Sequence, residues 1–425
     1  MTVPRCDACA MEDEESTMLS ACRGCGGLLS LEQGTPGSTG RALREDLDEA
    51  WRDDPGGSGV WRYRQLVLPS LVGDPVSHPE GNTPLLARRG IAEWCGAPQL
   101  IIKHEGHNPT GSFKDRGMTV AVTQARRVGA TAVACASTGN TSASLASYAA
   151  HAGIPALVFV PEGKVAPGKL AQTAAHGAQI LVLDGNFDDC LRLAREAADQ
   201  LGIMLLNSIN PFRIEGQKTI IFEMLQQLRW TPPDWIIFPA GNLGNAAAFG
   251  KALREALRWG LITKTPRLAA VQAAGAAPFA AAFERGFDKL VPVVPDTVAT
   301  AIRIGHPASY QRAVRAIRDT GGVVCAVDDI SILEAKDVVD QAGVGCEPAS
   351  AAAIAGLRLL VGRGTIAPTD RVVAVLTGHL LKDPAPAAGA SMPTTRITPS
   401  IDALSAILGR ATVPQTVAPC PQRWR

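Results

Sequence analysis

The stretch Asn108–Met118, NPTGSFKDRGM, joins a turn to the start of a helix. Asn, Pro and Gly favour the turn, and Met118–Val128 has the spacing of an amphipathic helix. Lys114 therefore lies at the positive end of a helix dipole, where an ammonium is disfavoured, and we expect Arg116 to lower its pKa further. A lysine tuned in this way can form a Schiff base. An ordinary surface lysine is the alternative, and it is the commoner case for a lysine taken alone.

Short β-branched runs alternate with helical runs on both sides of this stretch. The predicted strands are Leu100–Lys103, Thr131–Ala136, Ala156–Val160, Gln179–Leu183, Trp235–Phe238, Arg267–Val271, Val323–Val327 and Arg371–Leu376. The predicted helices include Phe187–Leu201, Gln217–Leu228, Ala246–Trp259, Ile330–Ala342 and Ala349–Leu360. This alternation predicts a doubly wound α/β fold with mostly parallel strands.

Ligands in such a fold bind beyond the carboxyl ends of the strands, so the loops that follow strands are candidate sites. Ala136–Ser142, ASTGNTS, offers hydroxyls, an amide and backbone N–H groups to a carboxylate, although helix capping alone would also explain these residues. Pro239–Asn245, PAGNLGN, has glycines that allow close approach to one phosphate, and it matches neither the dinucleotide nor the Walker pattern. A glycine-rich turn without a ligand is the alternative there.

Leu376–His379, LTGH, adds a hydroxyl and an imidazole at the end of the last predicted strand, where a histidine is more often structural. Together with Lys114, these loops offer an amine for an imine, a cradle for one phosphate, a carboxylate site and a hydroxyl. Pyridoxal 5′-phosphate is the ligand that has matching groups.

Four of the ten cysteines lie in the first 25 residues as two C-x-x-C pairs. Two such pairs predict one tetrahedral zinc ion held by four thiolates, a structural site without an open position; the ligands would be Cys6, Cys9, Cys22 and Cys25. Four unliganded thiols are the alternative. The other cysteines occur singly, which favours a reducing cytoplasm over a disulfide scaffold.

Composition limits the remaining classes of function. The 425 residues suffice for two or three domains. The formal net charge of +1 and the lack of a long basic block argue against nucleic acid or anionic lipid as a partner. The most apolar stretch, Leu268–Phe283, is interrupted by Gln272, Gly275 and Pro278, so we expect no membrane span and a small-molecule partner.

Several segments together resemble the threonine synthase family of fold type II pyridoxal-phosphate enzymes. The lysine loop and the glycine loop are typical of fold type II in general, whereas NSINPFRIEGQK at 207–218 and TAIRIGHP at 300–307 resemble threonine synthases in particular. CEPAS at 346–350 and the paired N-terminal cysteines also fit the family. The resemblance runs from about residue 81 to residue 384.

This resemblance implies a domain organisation and a homodimer. We expect a zinc-ribbon-like segment at 1–30, an N-terminal extension at 31–80, a large pyridoxal-phosphate-binding domain at 81–130 and 220–384, a small inserted α/β domain at 131–219, and an Ala/Pro-rich tail at 385–425. One helix is expected in the tail, at Ile401–Leu408.

The resemblance also implies a role for each site residue. Lys114 would hold the cofactor and move protons among Cα, Cβ and Cγ of O-phospho-L-homoserine, which reacts with water to give threonine and phosphate. The loop residues Gly241, Asn242, Leu243, Gly244 and Asn245 would bind the cofactor phosphate, Asn140 its ring hydroxyl and Thr377 its ring nitrogen. The substrate carboxylate would be bound by Ser137, Thr138 and Thr141, and the leaving phosphate by Asn207, Ser208 and Arg213.

Two residues depart from the family pattern beside the expected site. His107 replaces an apolar residue and Leu380 replaces a glycine, so a paralogue that acts on O-phosphoserine, as in cysteate synthase-like proteins, or a specialised biosynthetic enzyme is an alternative. Hydroxyamino-acid dehydratases share the lysine and the glycine loop but need no phosphate contact such as Arg213. A zinc-ribbon protein without catalytic activity is a further alternative, which the intact lysine, glycine loop and Arg213 argue against.

Overall fold

The computed structural model describes residues 2–16, 18, 21–163, 167–185, 187–383, 395–401 and 404. The chain divides into two compact units, Met1–Pro384 and Ala385–Arg425. In the second unit, Ile401 and Leu404 are helical, and most of the helix predicted there lies outside the described residues. Every strand and helix named below belongs to the first unit.

The described part of the chain alternates strands and helices. The strands are β1 Thr2–Cys6, β2 Leu29–Gln33, β3 Leu85–Leu86, β4 Leu100–His104, β5 Ala132–Ala136, β6 Ala156–Pro161, β7 Gln179–Leu183, β8 Ile203–Leu205, β9 Trp235–Pro239, β10 Arg267–Ala273, β11 Val323–Val327 and β12 Val372–Leu376. The α-helices are α1 Gly40–Asp53, α2 Arg64–Val67, α3 Arg89–Cys95, α4 Lys114–Arg127, α5 Asn140–Ala152, α6 Pro167–Ala175, α7 Phe187–Leu201, α8 Pro211–Gln227, α9 Gly244–Arg258, α10 Pro278–Glu284, α11 Tyr310–Asp319, α12 Asp329–Gln341 and α13 Pro348–Gly362. Short 3₁₀ helices lie at Trp61–Tyr63, Glu105–His107, Ala274–Ala276, Thr300–Ile302 and Leu380–Lys382. Within this described part, no helix is long and apolar enough to cross a membrane.

The larger sheet has six strands in the order β11-β10-β9-β12-β4-β3, and all neighbours are parallel except the β3–β4 pair. Every residue of β9 and β12 is buried, as expected for parallel strands covered by helices on both faces. Because β12 pairs with both β4 and β9, the carboxyl ends of these three strands meet at one edge. The loops that carry Lys114, Gly241 and Thr377 all leave from this edge.

The smaller sheet has four parallel strands in the order β7-β6-β5-β8. Beyond the end of β8, the side chain of Asn207 extends the pairing, since its amide donates to the carbonyl of Ala136 at 3.1 Å and accepts from the N–H of Ala136 at 3.0 Å. This sheet lies within the range expected for the inserted domain, whereas α8 runs across the expected limit at residue 219. The domain limits stay predictions.

The N-terminal strands β1 and β2 form an antiparallel hairpin in which Cys6 pairs with Leu29. Arg312 on α11 holds the hairpin to the rest of the first unit by an ion pair with Asp7 at 2.5 Å and a hydrogen bond to the carbonyl of Leu29 at 2.7 Å. These contacts attach the four cysteines to the larger structure.

Helices α4 and α8 approach each other closely because glycines face each other where they cross. A Cβ on Gly216 would lie 1.8 Å from the carbonyl oxygen of Arg116, and a Cβ on Gly117 would lie 2.9 Å from that of Arg213. Neither position has room for any other side chain. The glycines in KDRGM and RIEGQK thus set the distance between the two helices.

A fully buried group of charges fixes the same two helices relative to β4. Arg116 donates to Glu105, which follows β4, and to Glu223 on α8, at 2.6 and 2.7 Å. Lys103 of β4 also donates to Glu223. Burial alone would raise the pKa of Glu223, but Arg116 and Lys103 hold it well below its usual range. Each charge in this group is compensated by a partner, as burial requires.

The predicted fold class agrees with this architecture, and the eight predicted strands are all present with ends shifted by two residues at most. Two helices begin four or more residues earlier than predicted, and four strands were not predicted. The helix predicted from Gln217 begins at Pro211, because Asn210 caps it by accepting from the N–H of Phe212 and Pro211 fits the first helical position. Strands β1, β2, β3 and β8 were not predicted; β3 and β8, with two and three residues, are too short for a periodic pattern.

Replacing Glu223 with alanine should destabilise the fold strongly, because Arg116 and Lys103 would remain buried with less compensation. We expect the free energy of unfolding in urea to fall by roughly 3–5 kcal/mol. The matched control is Glu45→Ala, which removes an exposed pair with Arg41 and should change it by less than about 1 kcal/mol. Equal effects of the two substitutions would contradict the role given to the buried charges.

Candidate active site

Lys114 lies at the start of a helix as predicted, but it is itself the first residue of α4, four residues before the predicted Met118. Its Nζ lies 3.6 Å from the centre of the Phe113 ring. Burial, and after it the positive charge of Arg213, lower the pKa of Lys114 to about 7, while Glu347 acts in the opposite direction. A substantial fraction of the amine is therefore unprotonated at neutral pH, as a nucleophile requires.

The expected effect of Arg116 on this lysine is wrong. Its guanidinium points to Glu105 and Glu223, and the cation that acts on Lys114 comes from α8. Residues two apart on a helix do not share a face, so proximity in sequence was a poor guide here.

Asp115 ties the lysine loop to the helix that begins at Asn140. Its buried carboxylate accepts from the N–H and the hydroxyl of Thr110, at 2.7 and 2.6 Å, and from the hydroxyl of Ser144 on α5, at 2.6 Å. Burial raises the pKa of Asp115 to about 6, against the effect of these hydroxyls. The contacts fix the start of α4 against the start of α5.

Arg213 is fully buried on α8 and is only partly hydrogen-bonded. Its Nη1 donates to the carbonyl of Leu206 at 3.1 Å, whereas Nε and Nη2 are buried and have no hydrogen-bond partner among the described residues. Burial lowers the pKa of Arg213 to about 10. Two unpaired N–H groups on a buried cation are suited to a doubly charged anion with several oxygens.

The loop between β9 and α9 has the shape of an anion cradle. Leu243 has a positive φ of 64°, directly before the first residue of α9. At Gly241 a Cβ would lie 2.8 Å from the Cα of Ile302. The loop therefore packs closely at Gly241 and leads into the N-terminus of α9, where N–H groups attract a phosphate.

The side chains of this loop have different tasks. Asn245 turns back to donate to the carbonyl of Pro239 at 2.6 Å. Asn242 accepts from the N–H of Ala308 at 2.7 Å and donates to the hydroxyl of Ser208. The second contact joins the predicted cofactor-phosphate loop to the segment predicted to bind the leaving phosphate.

The segment at 207–208 and the loop at 137–141 differ in how their side chains are used. The side-chain amide of Asn207 is hydrogen-bonded to the backbone of Ala136. These two hydrogen bonds connect the end of β5 with the residues that follow β8. Ser137, Thr138 and Thr141 lie partly buried in the loop after β5 and the first turn of α5. Their predicted role at the substrate carboxylate stays a prediction.

Thr377 follows β12 and is buried. Its hydroxyl lies 3.1 Å from that of Ser350 on α13, and its carbonyl accepts from the N–H of Phe113 at 2.9 Å. Ser350 also accepts from the N–H of Gly378 at 2.9 Å. The hydroxyl of Thr377, which is predicted to contact the cofactor ring nitrogen, is thus oriented by its hydrogen bond with Ser350.

Asn140 begins α5 and donates its amide to both oxygens of Glu347, at 3.2 and 3.0 Å. Glu347 precedes α13 and is buried. Burial raises the pKa of Glu347, and Asn140 and Lys114 oppose this shift.

The residues that depart from the family pattern lie at the surface of the site. His107 is exposed and contacts His104 edge to face, with ring centres 4.7 Å apart. Leu380 packs towards Gly345. His379 accepts from the N–H of Leu381 and so caps a short helix, which agrees with a structural histidine.

The four N-terminal cysteines converge as predicted. Their Sγ atoms all lie within 4.8 Å of one another. Four thiolates at this separation are a donor set that zinc prefers. The nine cysteines that the structure describes are all free of disulfides.

Reasoning from the sequence missed Glu347, Ser350 and Asp115. The signal for the first two was the segment CEPAS, in which a glutamate directly precedes a proline-initiated helix. The signal for Asp115 was its position beside the lysine. None of these signals reveals which distant side chain each of the three residues contacts.

Comparison with known proteins agrees with this geometry. Residues 76–378 match the family model described as "Pyridoxal-phosphate dependent enzyme". The threonine synthase of Methanosarcina acetivorans is 46% identical over 96% of this chain and 99% of its own length, and that of Methanocaldococcus jannaschii is 43% identical over 95% and 98%. The threonine synthase of Mycobacterium tuberculosis is 51% identical over 78% and 89%.

Solved structures show the same fold. The Escherichia coli threonine synthase gives a TM-score of 0.66 at 18% identity over 96% of this chain and 99% of that chain. Maize serine racemase gives 0.62 at 22% identity over 76% and 94%. At these identities the likeness concerns the fold alone.

The chain therefore belongs to the pyridoxal-phosphate-dependent enzyme family. Within that family its relatives with 43–51% identity are threonine synthases, so the resemblance drawn from the sequence is confirmed.

Proposed function

We propose that the chain converts O-phospho-L-homoserine and water into L-threonine and phosphate. The observation that carries this proposal is Arg213, a buried cation with two unpartnered N–H groups whose charge acts on Lys114. A substrate that carries its own phosphate would satisfy those groups. A simple hydroxyamino acid would leave them unpaired, at a cost of several kcal/mol.

The chain's residues fit the cofactor that the family uses. The backbone of Gly241–Asn245 would hold its phosphate, Asn140 its ring hydroxyl and Thr377 its ring nitrogen. Thr377 is uncharged, so it would leave that nitrogen largely unprotonated. Pyridoxal 5′-phosphate, when bound, would supply the electron sink that makes the substrate Cα acidic.

Lys114 would carry out the proton transfers. Its Nζ, partly unprotonated near neutral pH, would accept the proton from Cα and move protons at Cβ and Cγ as phosphate departs from Cγ. Water would then add at Cβ. The positive charge of Arg213 would keep the amine partly unprotonated before the substrate binds, and would then bind the leaving phosphate.

The substrate would be held at both ends. Ser137, Thr138 and Thr141 would bind its carboxylate. Arg213 and Ser208 would bind the phosphate together with the side chain of Asn242, which already contacts Ser208. Asn207 would act indirectly: its hydrogen bonds to Ala136 would hold the backbone that leads to Ser208 in position.

We further propose that the enzyme is a homodimer and works in the cytoplasm. The free thiols of the described residues are in keeping with a reducing compartment.

Substitution of Arg213 tests the phosphate site. In Arg213→Ala we expect kcat/KM for O-phospho-L-homoserine to fall by at least about 100-fold, because two charge-assisted hydrogen bonds are lost. The kcat/KM of Arg213→Lys should lie between those of Arg213→Ala and the wild type, since the ammonium of lysine keeps the charge but not the planar arrangement of donors.

Steady-state kinetics measure both effects, and the affinity for pyridoxal 5′-phosphate serves as the control, which should stay within about threefold of the wild type. An unchanged kcat/KM in Arg213→Ala would place the phosphate elsewhere.

We also propose that the four cysteines hold a structural Zn²⁺ ion. The convergence of four thiols supports this, as does the attachment of the hairpin through Arg312. The ion would have no open position for a substrate.

Removal of this metal by a chelator should loosen residues 2–33 and leave the cofactor absorbance in place. Hydrogen exchange followed by mass spectrometry should show faster exchange in β1 and β2, reversed when Zn²⁺ is added back. Loss of the cofactor absorbance on chelation would instead show that the metal supports the active site.

A further inference from the structure

Glu347 is a buried carboxylate beside the candidate site, and the reaction proposed above leaves it without a task. Its backbone N–H donates to the carbonyl of Gly378 at 3.2 Å, and both its side-chain oxygens accept from Asn140. A Cβ on Gly378 would lie 2.3 Å from its Oε1. The glycine of LTGH therefore leaves the space that this carboxylate occupies.

The lysine loop is attached to the same point. Ser112 forms an isolated antiparallel bridge with Gly378, and Phe113 donates its N–H to Thr377. Backbone contacts through residues 377 and 378 thus connect the segment that ends in Lys114 with Glu347. The carboxylate of Glu347 accepts from the amide of Asn140 and is near enough to Lys114 for its charge to act on the amine.

We propose that Glu347 is a positioning residue that fixes the amide of Asn140 towards the cofactor ring and provides the negative charge opposite Lys114. The inference rests on the proposed use of Asn140 and Lys114 by the cofactor. An asparagine amide has two N–H donors. Glu347 accepts from the amide of Asn140 on one side. The N–H that remains would then point towards the ring hydroxyl of the cofactor.

The expected effect of Glu347 on the protonation of Lys114 follows from the charged groups around these two residues. Arg213 on α8 disfavours the ammonium of Lys114, and Glu347 favours it. Glu347 in turn faces Lys114, Lys382 and Asp383, of which the two lysines favour its ionised form. The protonation of Lys114 and the protonation of Glu347 therefore depend on each other. Removing the carboxylate should leave Arg213 unopposed, so the amine should lose its proton at lower pH.

Reconstitution of the full chain with pyridoxal 5′-phosphate tests both parts without any amino-acid substrate. Imine formation requires the unprotonated amine, so its rate, followed by absorbance against pH, gives the midpoint of Lys114. Glu347→Gln keeps the shape and an acceptor oxygen but removes the charge. We expect its midpoint to fall by at least about half a pH unit, which raises the rate on the acidic side by roughly threefold. Its affinity for the cofactor should stay within about threefold of the wild type.

Glu347→Ala removes the acceptor as well, and we expect the dissociation constant of pyridoxal 5′-phosphate to rise about tenfold. Glu334→Gln, an exposed change of the same type on α12, is the matched control and should alter neither quantity. Circular dichroism verifies that each variant is folded.

An unchanged midpoint in Glu347→Gln, or an unchanged affinity in Glu347→Ala, would overturn the proposal. Because no phosphorylated substrate is present, a wrong assignment of the substrate would leave these results as they are. Failure of the inference and failure of the proposed reaction can therefore be told apart.

Discussion

The buried contact of Arg116 with Glu105 and Glu223 is the constraint on which the candidate site depends. It joins the end of β4, the start of α4 and the middle of α8 in one place that is closed to water. Lys114 lies two residues before this arginine, and Arg213 lies on the same helix as Glu223. The distance between the amine of Lys114 and the guanidinium of Arg213 is therefore determined by other side chains, the buried charges of Arg116, Glu105 and Glu223.

The crossing of α4 and α8 gives these charges their geometry. Gly117 and Gly216 allow the helices to approach until backbone atoms meet. Any larger side chain would separate Arg213 from Lys114 and weaken the effect of one on the other. Motifs that look catalytic in the sequence, KDRGM and RIEGQK, thus contain residues whose task is packing.

The acid–base behaviour of Lys114 results from three opposing influences. Burial and Arg213 favour the neutral amine, and Glu347 favours the ammonium. Phosphate bound at Arg213 would reduce the first charge effect, so the proton affinity of the amine would rise as the substrate binds. In this account one cation both recognises the substrate and adjusts the base that acts on it.

Much of this arrangement could be predicted from the sequence, because it follows from local patterns. The carboxyl ends of parallel strands meet at one edge, so the loops at Lys114, Gly241 and Thr377 could be brought together without a structure. The two C-x-x-C pairs predicted their own convergence in the same way.

The remainder depends on partners that are distant in the chain. No local pattern shows that Arg116 faces Glu223, which lies 107 residues away, or that Asn140 faces Glu347, 207 residues away. The bracing task of Asn207 became visible only once β5 and β8 were seen to be neighbours.

Analysis of the reaction products by NMR distinguishes the two phosphorylated amino acids as substrates. The purified enzyme, loaded with pyridoxal 5′-phosphate, is mixed with O-phospho-L-homoserine and, in a separate reaction, with O-phospho-L-serine and sulfite. Our prediction is L-threonine and one equivalent of phosphate from the first reaction and no turnover in the second. No threonine from the first mixture, together with turnover of phosphoserine in the second, would contradict it and assign the buried arginine to a different phosphorylated amino acid.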